Sequence, residues 1–113
     1  MRFLLRGKIH RATVTDHNPD YIGSITIDPI LLKLVDIWPG EKVLVSDLHN
    51  GNRFETYVVE GDPGKGQIIV NGAAALLVNK GDKIIIMGFE LTDAPIKAKV
   101  ILVDDRNRFL KDL

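Results

Sequence analysis

A glycine and a serine, Gly23-Ser24, sit inside a run that otherwise alternates like a strand, Tyr21-Ile22-Gly23-Ser24-Ile25-Thr26-Ile27-Asp28. Glycine weakens a strand interior, so its presence marks a bulge or a backbone conformation that the site requires. The ordinary reading is a bulge with a serine facing solvent. The chemical reading is a self-cleaving peptide bond. A serine hydroxyl attacks the carbonyl that precedes it when the peptide is strained and the oxygen is aligned. The C–N bond is then exchanged for an ester, and glycine on the carbonyl side removes hindrance and accepts distorted dihedrals. β-Elimination of that ester leaves dehydroalanine, whose imine tautomer takes up water and releases ammonia to give a pyruvoyl ketone.

Few other chemistries are open to this chain. It has no cysteine, which removes disulfides, thiolate catalysis and Cys-based zinc sites together. Its three histidines, His10, His17 and His49, have no helical i, i+4 spacing and no HExxH context, so no metal site is expected. Gly61-Asp62-Pro63-Gly64-Lys65-Gly66 is followed by Gln67 and fails the phosphate-loop pattern; it reads as a hairpin loop. No G-x-S-x-G nucleophile elbow occurs. Lys plus Arg equals Asp plus Glu at 15 each, and aromatics make up 6%, which disfavours nucleic-acid binding by phosphate neutralisation or base stacking. Apolar stretches fall far short of the ~20 residues that span a bilayer. Met1-Arg2-Phe3-Leu4-Leu5-Arg6 breaks where a secretory core should continue, so the expectation is a cytoplasmic protein without membrane contact.

The elements that must position Gly23-Ser24 are mostly strands. At 113 residues and 12.6 kDa, one domain over 1–113 is expected. Strand-like runs cover 9–15, 22–27, 43–45, 54–59, 67–70, 83–91 and 98–103. His49-Asn50-Gly51-Asn52 separates two of them, and Asn-Gly tolerates positive φ at both central positions of a tight hairpin. Asp28-Pro29 predicts a helix start, with an apolar stripe at Ile30, Leu31, Leu34 and Val35 and a stop at Trp38-Pro39-Gly40. A second short helix is predicted over 72–78 and a final turn of helix over 105–110. Many short strands with small helices make a mainly β chain, a compact barrel with helical corners. Its core is small, which favours an oligomer.

Four blocks of the chain together resemble the pyruvoyl-dependent aspartate 1-decarboxylases. They are Gly7-Lys8-Ile9-His10-Arg11-Ala12-Thr13-Val14-Thr15, Tyr21 to Asp28, Asn50-Gly51-Asn52-Arg53-Phe54-Glu55-Thr56-Tyr57, and Val70-Asn71-Gly72-Ala73-Ala74-Ala75. The resemblance covers nearly the whole chain. It implies a double-psi β-barrel, a homotetramer with sites between subunits, and decarboxylation of L-aspartate to β-alanine for pantothenate synthesis. It also implies a covalent pyruvoyl cofactor derived from Ser24, whose ketone condenses with the substrate amine and takes up the electrons that the departing carboxylate leaves. Cleavage would end the short chain, 1–23, at Gly23 and begin the long chain, 24–113, at Ser24.

By the same resemblance, Lys8 and Arg53 are the cations of the substrate pocket, and a guanidinium suits a carboxylate because its fork binds bidentately. Thr56 is the hydroxyl that binds the Gly23 carbonyl during cleavage, and Tyr57 the proton donor. Asn71, Gly72, Ala73 and Ala74 lie where the family holds the substrate. Singly, each has a plain alternative: a core aromatic, a surface arginine, an ordinary strand threonine, small residues in helix packing. Their joint occurrence around Gly23-Ser24 is what favours chemistry. The chain departs from the family in Asp16-His17-Asn18-Pro19-Asp20, in Leu76 for a common histidine, and in Ser46 for an occasional aromatic. The competing reading is an uncleaved, non-catalytic homologue that acts as a binding or assembly module.

Overall fold

The structure, a computed structural model, describes residues 1–113. It is mainly β. In chain order the elements are β1 (Arg2–Thr13), β2 (Asp16–Asn18), β3 (Ser24–Ile27), α1 (Pro29–Val35), β4 (Lys42–Asp47), β5 (Arg53–Glu60), β6 (Ile68–Asn71), a 3₁₀ helix (Gly72–Leu77), β7 (Lys83–Thr92), β8 (Lys99–Val103) and β9 (Phe109–Asp112). The strands form one sheet in the order β2-β6-β3-β5-β4-β7-β1-β8-β9. The sheet curls until β1 meets β6. Just beyond β1, Thr15 N donates to Ile68 O at 2.8 Å, and Ile68 N donates back to Thr15 Oγ1 at 3.0 Å. That closure makes a barrel with both parallel and antiparallel neighbours, the arrangement expected of a double-psi β-barrel.

Alternation along the strands builds the interior. Ile9, Ala12, Val43, Val45, Val58, Ile84 and Ile86 point inward with Ile25, Ile27, Ile68 and Val70, in a cluster of 19 buried residues. Burying a side chain of this size is worth about 1.5–3 kcal/mol, and this cluster is the main source of folding free energy. Helix α1 closes one end of the barrel. Asp28 caps it as expected, Oδ1 accepting from Ile30 N at 2.9 Å, a bond worth about 1 kcal/mol. The same carboxylate is buried and also accepts from Gly64 N and Gly66 N, tying the loop after β5 to the helix start.

Several expectations need correction. The 61–66 loop is not a hairpin: β5 and β6 both pair with β3 and not with each other. No helix forms at 105–110. Asp104 Oδ1 instead accepts from Arg106 N and Arg108 N, and Asn107 adopts φ 60, so the chain turns and runs into β9. The short helix at 72–77 is 3₁₀ rather than α. The first strand begins at Arg2, and the run around Gly23 becomes strand only from Ser24. The Asn-Gly turn joins β4 to β5, but only Gly51 has positive φ (77°), because Asp47 organises a longer loop through its backbone and Oδ1.

Candidate active site

Strand β3 lies between β6, antiparallel, and β5, parallel. Ser24 stands opposite Asn71, while Ile25 stands opposite Val70 and level with Val58. Residues paired across a sheet project to the same face. Ile25, Val70 and Val58 are in the core, so Ser24, Thr26 and Asn71 project from the other face, together with Tyr57, the residue before Val58. Thr56, two residues before Val58, shares the core side and is half-buried.

Ser24 is buried (4% exposed) although it is on the outward side, and beside it Gly72, the first residue of the 3₁₀ helix, packs against Gly23 and Tyr21 O. Asn71 Nδ2 donates to Ser24 Oγ at 3.1 Å and to Thr26 Oγ1 at 3.3 Å. Ser24 Oγ in turn points its proton at Ile22 O, 3.5 Å away, a contact at the limit of hydrogen bonding. Gly72 has φ 76, and a Cβ there would stand 2.6 Å from Gly23 Cα. Only glycine therefore lets the start of the 3₁₀ helix close on the residue before Ser24. Asn71 precedes that helix without capping it, its side chain being committed to Ser24 and Thr26.

The far end of the 3₁₀ helix is anchored from two sides. His17 on β2 meets Ala75 O at 2.9 Å; a carbonyl only accepts, so Nδ1 carries the proton. Asn50 Nδ2 and Asn52 Nδ2 both donate to Leu77 O. The loop that carries them is seated by Asp47, which is 2% exposed and faces Asp82. Asp47 Oδ1 accepts from His49 N, while Oδ2 is buried without a donor. The neighbouring Asp82 carboxyl favours the protonated form of Asp47. Burial, and the hydrogen bond with Asp82, push the Asp47 carboxyl up to about 6. Asp82, bonded by Asp47 and by Asn79 N, is held below the usual carboxylate range.

The remaining candidates share the outward face but not the place. Lys8 pairs with Met87, whose other partner, Leu44, is opposite Glu55. That row puts Lys8 on the same face as Glu55, Arg53 and Tyr57. Round the closed barrel, β1 is four strands from β3 one way and two, through β6, the other, and no hydrogen bond joins Lys8 to Ser24. Arg53 lies four residues, roughly 13 Å, along β5 from Tyr57. Tyr57 is 42% exposed. Ser24, Asn71, Gly72 and Gly23 are thus brought into contact, with Ala73 and Ala74 following on the 3₁₀ helix, whereas Lys8 and Arg53 are not. The family model described as aspartate decarboxylase matches residues 1–110.

The chain belongs to that family.

Curated relatives extend over nearly all of it. An aspartate 1-decarboxylase of Pseudothermotoga lettingae is 50% identical over 112 residues, 97% of each chain. One from Acetivibrio thermocellus is 51% identical over 111 residues, 95% of this chain and 88% of its own. One from Neisseria meningitidis is 50% identical over 111 residues, covering 95% and 87%. Family membership agrees with the four sequence blocks, and three of those blocks meet at Ser24. Sequence reading missed Thr26, His17 and the Asp47–Asp82 pair. Thr26 was legible only as an alternating strand residue, and the aspartates are 35 positions apart with nothing local to link them.

The Asp47–Asp82 pair makes a signed prediction. The folded protein binds Asp47's proton more tightly than the unfolded chain does, so this contribution to stability is full below about pH 4 and is lost as pH rises through about 6. Asp47→Asn supplies the donor without the proton. Thermal melting from pH 4 to 7 should show a flatter profile for Asp47→Asn and a gain on the order of 1–2 kcal/mol at pH 7. An unchanged slope would refute the raised Asp47 carboxyl.

Proposed function

We propose that the chain cuts itself between Gly23 and Ser24 and then decarboxylates L-aspartate, releasing the α-carboxylate as CO2 and leaving β-alanine, a step of pantothenate biosynthesis carried out in the cytoplasm. The observation that carries this reading is the buried Ser24 hydroxyl, held by the Asn71 amide and closed over by Gly72 against Gly23. Family membership supports the activity, and the curated relatives are named for it.

In self-cleavage, Ser24 Oγ attacks the Gly23 carbonyl carbon and the Gly23–Ser24 C–N bond breaks. The Thr56 hydroxyl, on the neighbouring strand, is assigned to the Gly23 carbonyl oxygen, where a donor lowers the cost of the charge that develops. Elimination then breaks the Ser24 Cβ–Oγ bond, so the oxygen leaves with the Gly23 carboxylate. Of the 113 residues, 23 fall in the short piece and 90 in the long one. The residues present fit a ketone at position 24: it lies in a closed site, Asn71 offers it an amide donor, and the Gly72 cradle admits no side chain beside it. Such a group supplies an electron sink for the pair released from the α-carboxylate.

The chain's other residues bind and protonate. Arg53 and Lys8 hold substrate carboxylates, the guanidinium bidentately. Neither is hydrogen-bonded to Ser24 within one chain although both lie on the same outward face, an arrangement that suits a homotetramer with sites between subunits. Backbone amides of Gly72, Ala73 and Ala74, at the start of a helix without a side-chain cap, face the same substrate. Tyr57 is on Ser24's face and open enough to meet a ligand, and its phenol delivers the proton that replaces the lost carboxylate.

Ser24→Ala should remain one intact polypeptide under denaturing mass spectrometry and release no CO2 from aspartate; an active, uncut variant would end the proposal, and an intact, inactive wild type would favour a binding module instead. Tyr57→Phe should be cut normally but turn over about 10²–10⁴-fold more slowly. A wild-type rate in that variant would remove Tyr57 from its role.

A further inference from the structure

Asn71 Nδ2 has two acceptors, Ser24 Oγ at 3.1 Å and Thr26 Oγ1 at 3.3 Å. The chemistry proposed above, on which this inference rests, consumes one of them. Once the Cβ–Oγ bond of Ser24 breaks and Oγ departs with the Gly23 carboxylate, a methyl group stands where the hydroxymethyl was. Asn71 is then a buried amide, 5% exposed, with a single one of its two original acceptors left. We propose that Thr26 is a positioning residue of the mature enzyme, whose hydroxyl keeps the Asn71 amide aimed at position 24 after the serine oxygen has gone.

Three features of Thr26 suit it to that task. It stands two residues beyond Ser24 on the same face of β3, so its Oγ1 reaches the same amide nitrogen from the next position along the strand. Its χ1 is stiff, as for any β-branched residue. Its methyl has a fixed seat: Gly61 N donates to Ile27 O at 3.0 Å, and a Cβ on Gly61 would stand 3.1 Å from Thr26 Cγ2. The bare Gly61 receives the methyl, and the hydroxyl is left turned toward Asn71. An asparagine amide has a broad χ2 preference, so without such a partner it swings. A buried, unpaired amide is also unfavourable by itself.

The test uses the processed, full-length protein. Thr26→Val keeps the shape and removes the acceptor; Thr26→Ser keeps the acceptor. Processing is read from fragment masses, ketone content by hydrazine titration, and kcat/KM for aspartate is expressed per ketone. Thr26→Val should form the ketone in wild-type proportion and lose about tenfold in kcat/KM. Thr26→Ser should recover most of that. In an Asn71→Ala background, Thr26→Val should cost nothing further. Wild-type kcat/KM per ketone in Thr26→Val, or an equal loss in both backgrounds, overturns the proposal. A second readout needs no variant: in the processed wild type, the Asn71 side-chain NH2 protons should exchange with solvent far more slowly than those of an exposed asparagine. Exchange at the exposed rate overturns it. A wild type that forms no ketone defeats the activity itself, whereas a wild type that turns over beside an unaffected Thr26→Val defeats this inference alone.

Discussion

The amide of Asn71 joins the two strands on which everything else depends. It lies opposite Ser24 across the β3–β6 ladder and donates both its protons within the sheet, to Ser24 and to Thr26. Because the amide satisfies Ser24's oxygen as an acceptor, the hydroxyl remains buried at acceptable cost, its own proton engaged only by the 3.5 Å contact to Ile22 O. That arrangement requires β6 to end at Asn71, and the chain to leave immediately in a direction that closes on Gly23. Gly72, at φ 76 and in contact with Gly23, supplies that direction. The sheet register, the positive-φ glycine and the reactive residue are one constraint.

The outward face of the barrel has a second logic. Core residues alternate with Lys8, Arg53, Tyr57, Ser24 and Asn71, so the inward pattern that stabilises the fold automatically sends the polar set outward. Curvature then separates that set around the barrel. The interior is filled by aliphatic side chains at close packing, so these groups share only the outside. The proposed assembly of the site between copies rests on having all candidate groups on the outside and only part of them near Ser24.

Much of this was legible in the residues, and the limits have physical causes. Period-two alternation and β-branched runs located most strands, and Asp28-Pro29 located α1, because those signals are local. What failed were features decided at a distance. Residues 105–110 read as a turn of helix, because only β8 offers Phe109 to Asp112 the edge that makes them a strand. The segment at 16–18 becomes a strand only because β6 lies beside it. Gly61 to Gly66 looked like a hairpin because the chain cannot announce that β3 will insert between its flanks. At the site, the glycine-serine pair and its four sequence blocks were visible, while the partners of Asn71 and the nearness of Asp47 to Asp82 belong to contacts made across 35 to 47 positions of chain.

The central claim is that the bond before Ser24 breaks and leaves a ketone behind. The direct measurement is the denaturing mass spectrum of the purified, aged wild-type protein, before and after treatment with a hydrazine. Two fragments corresponding to residues 1–23 and 24–113, the longer one alone gaining the hydrazone mass, are the predicted result. A single mass for the intact 113-residue chain, unmoved by the reagent, would contradict it.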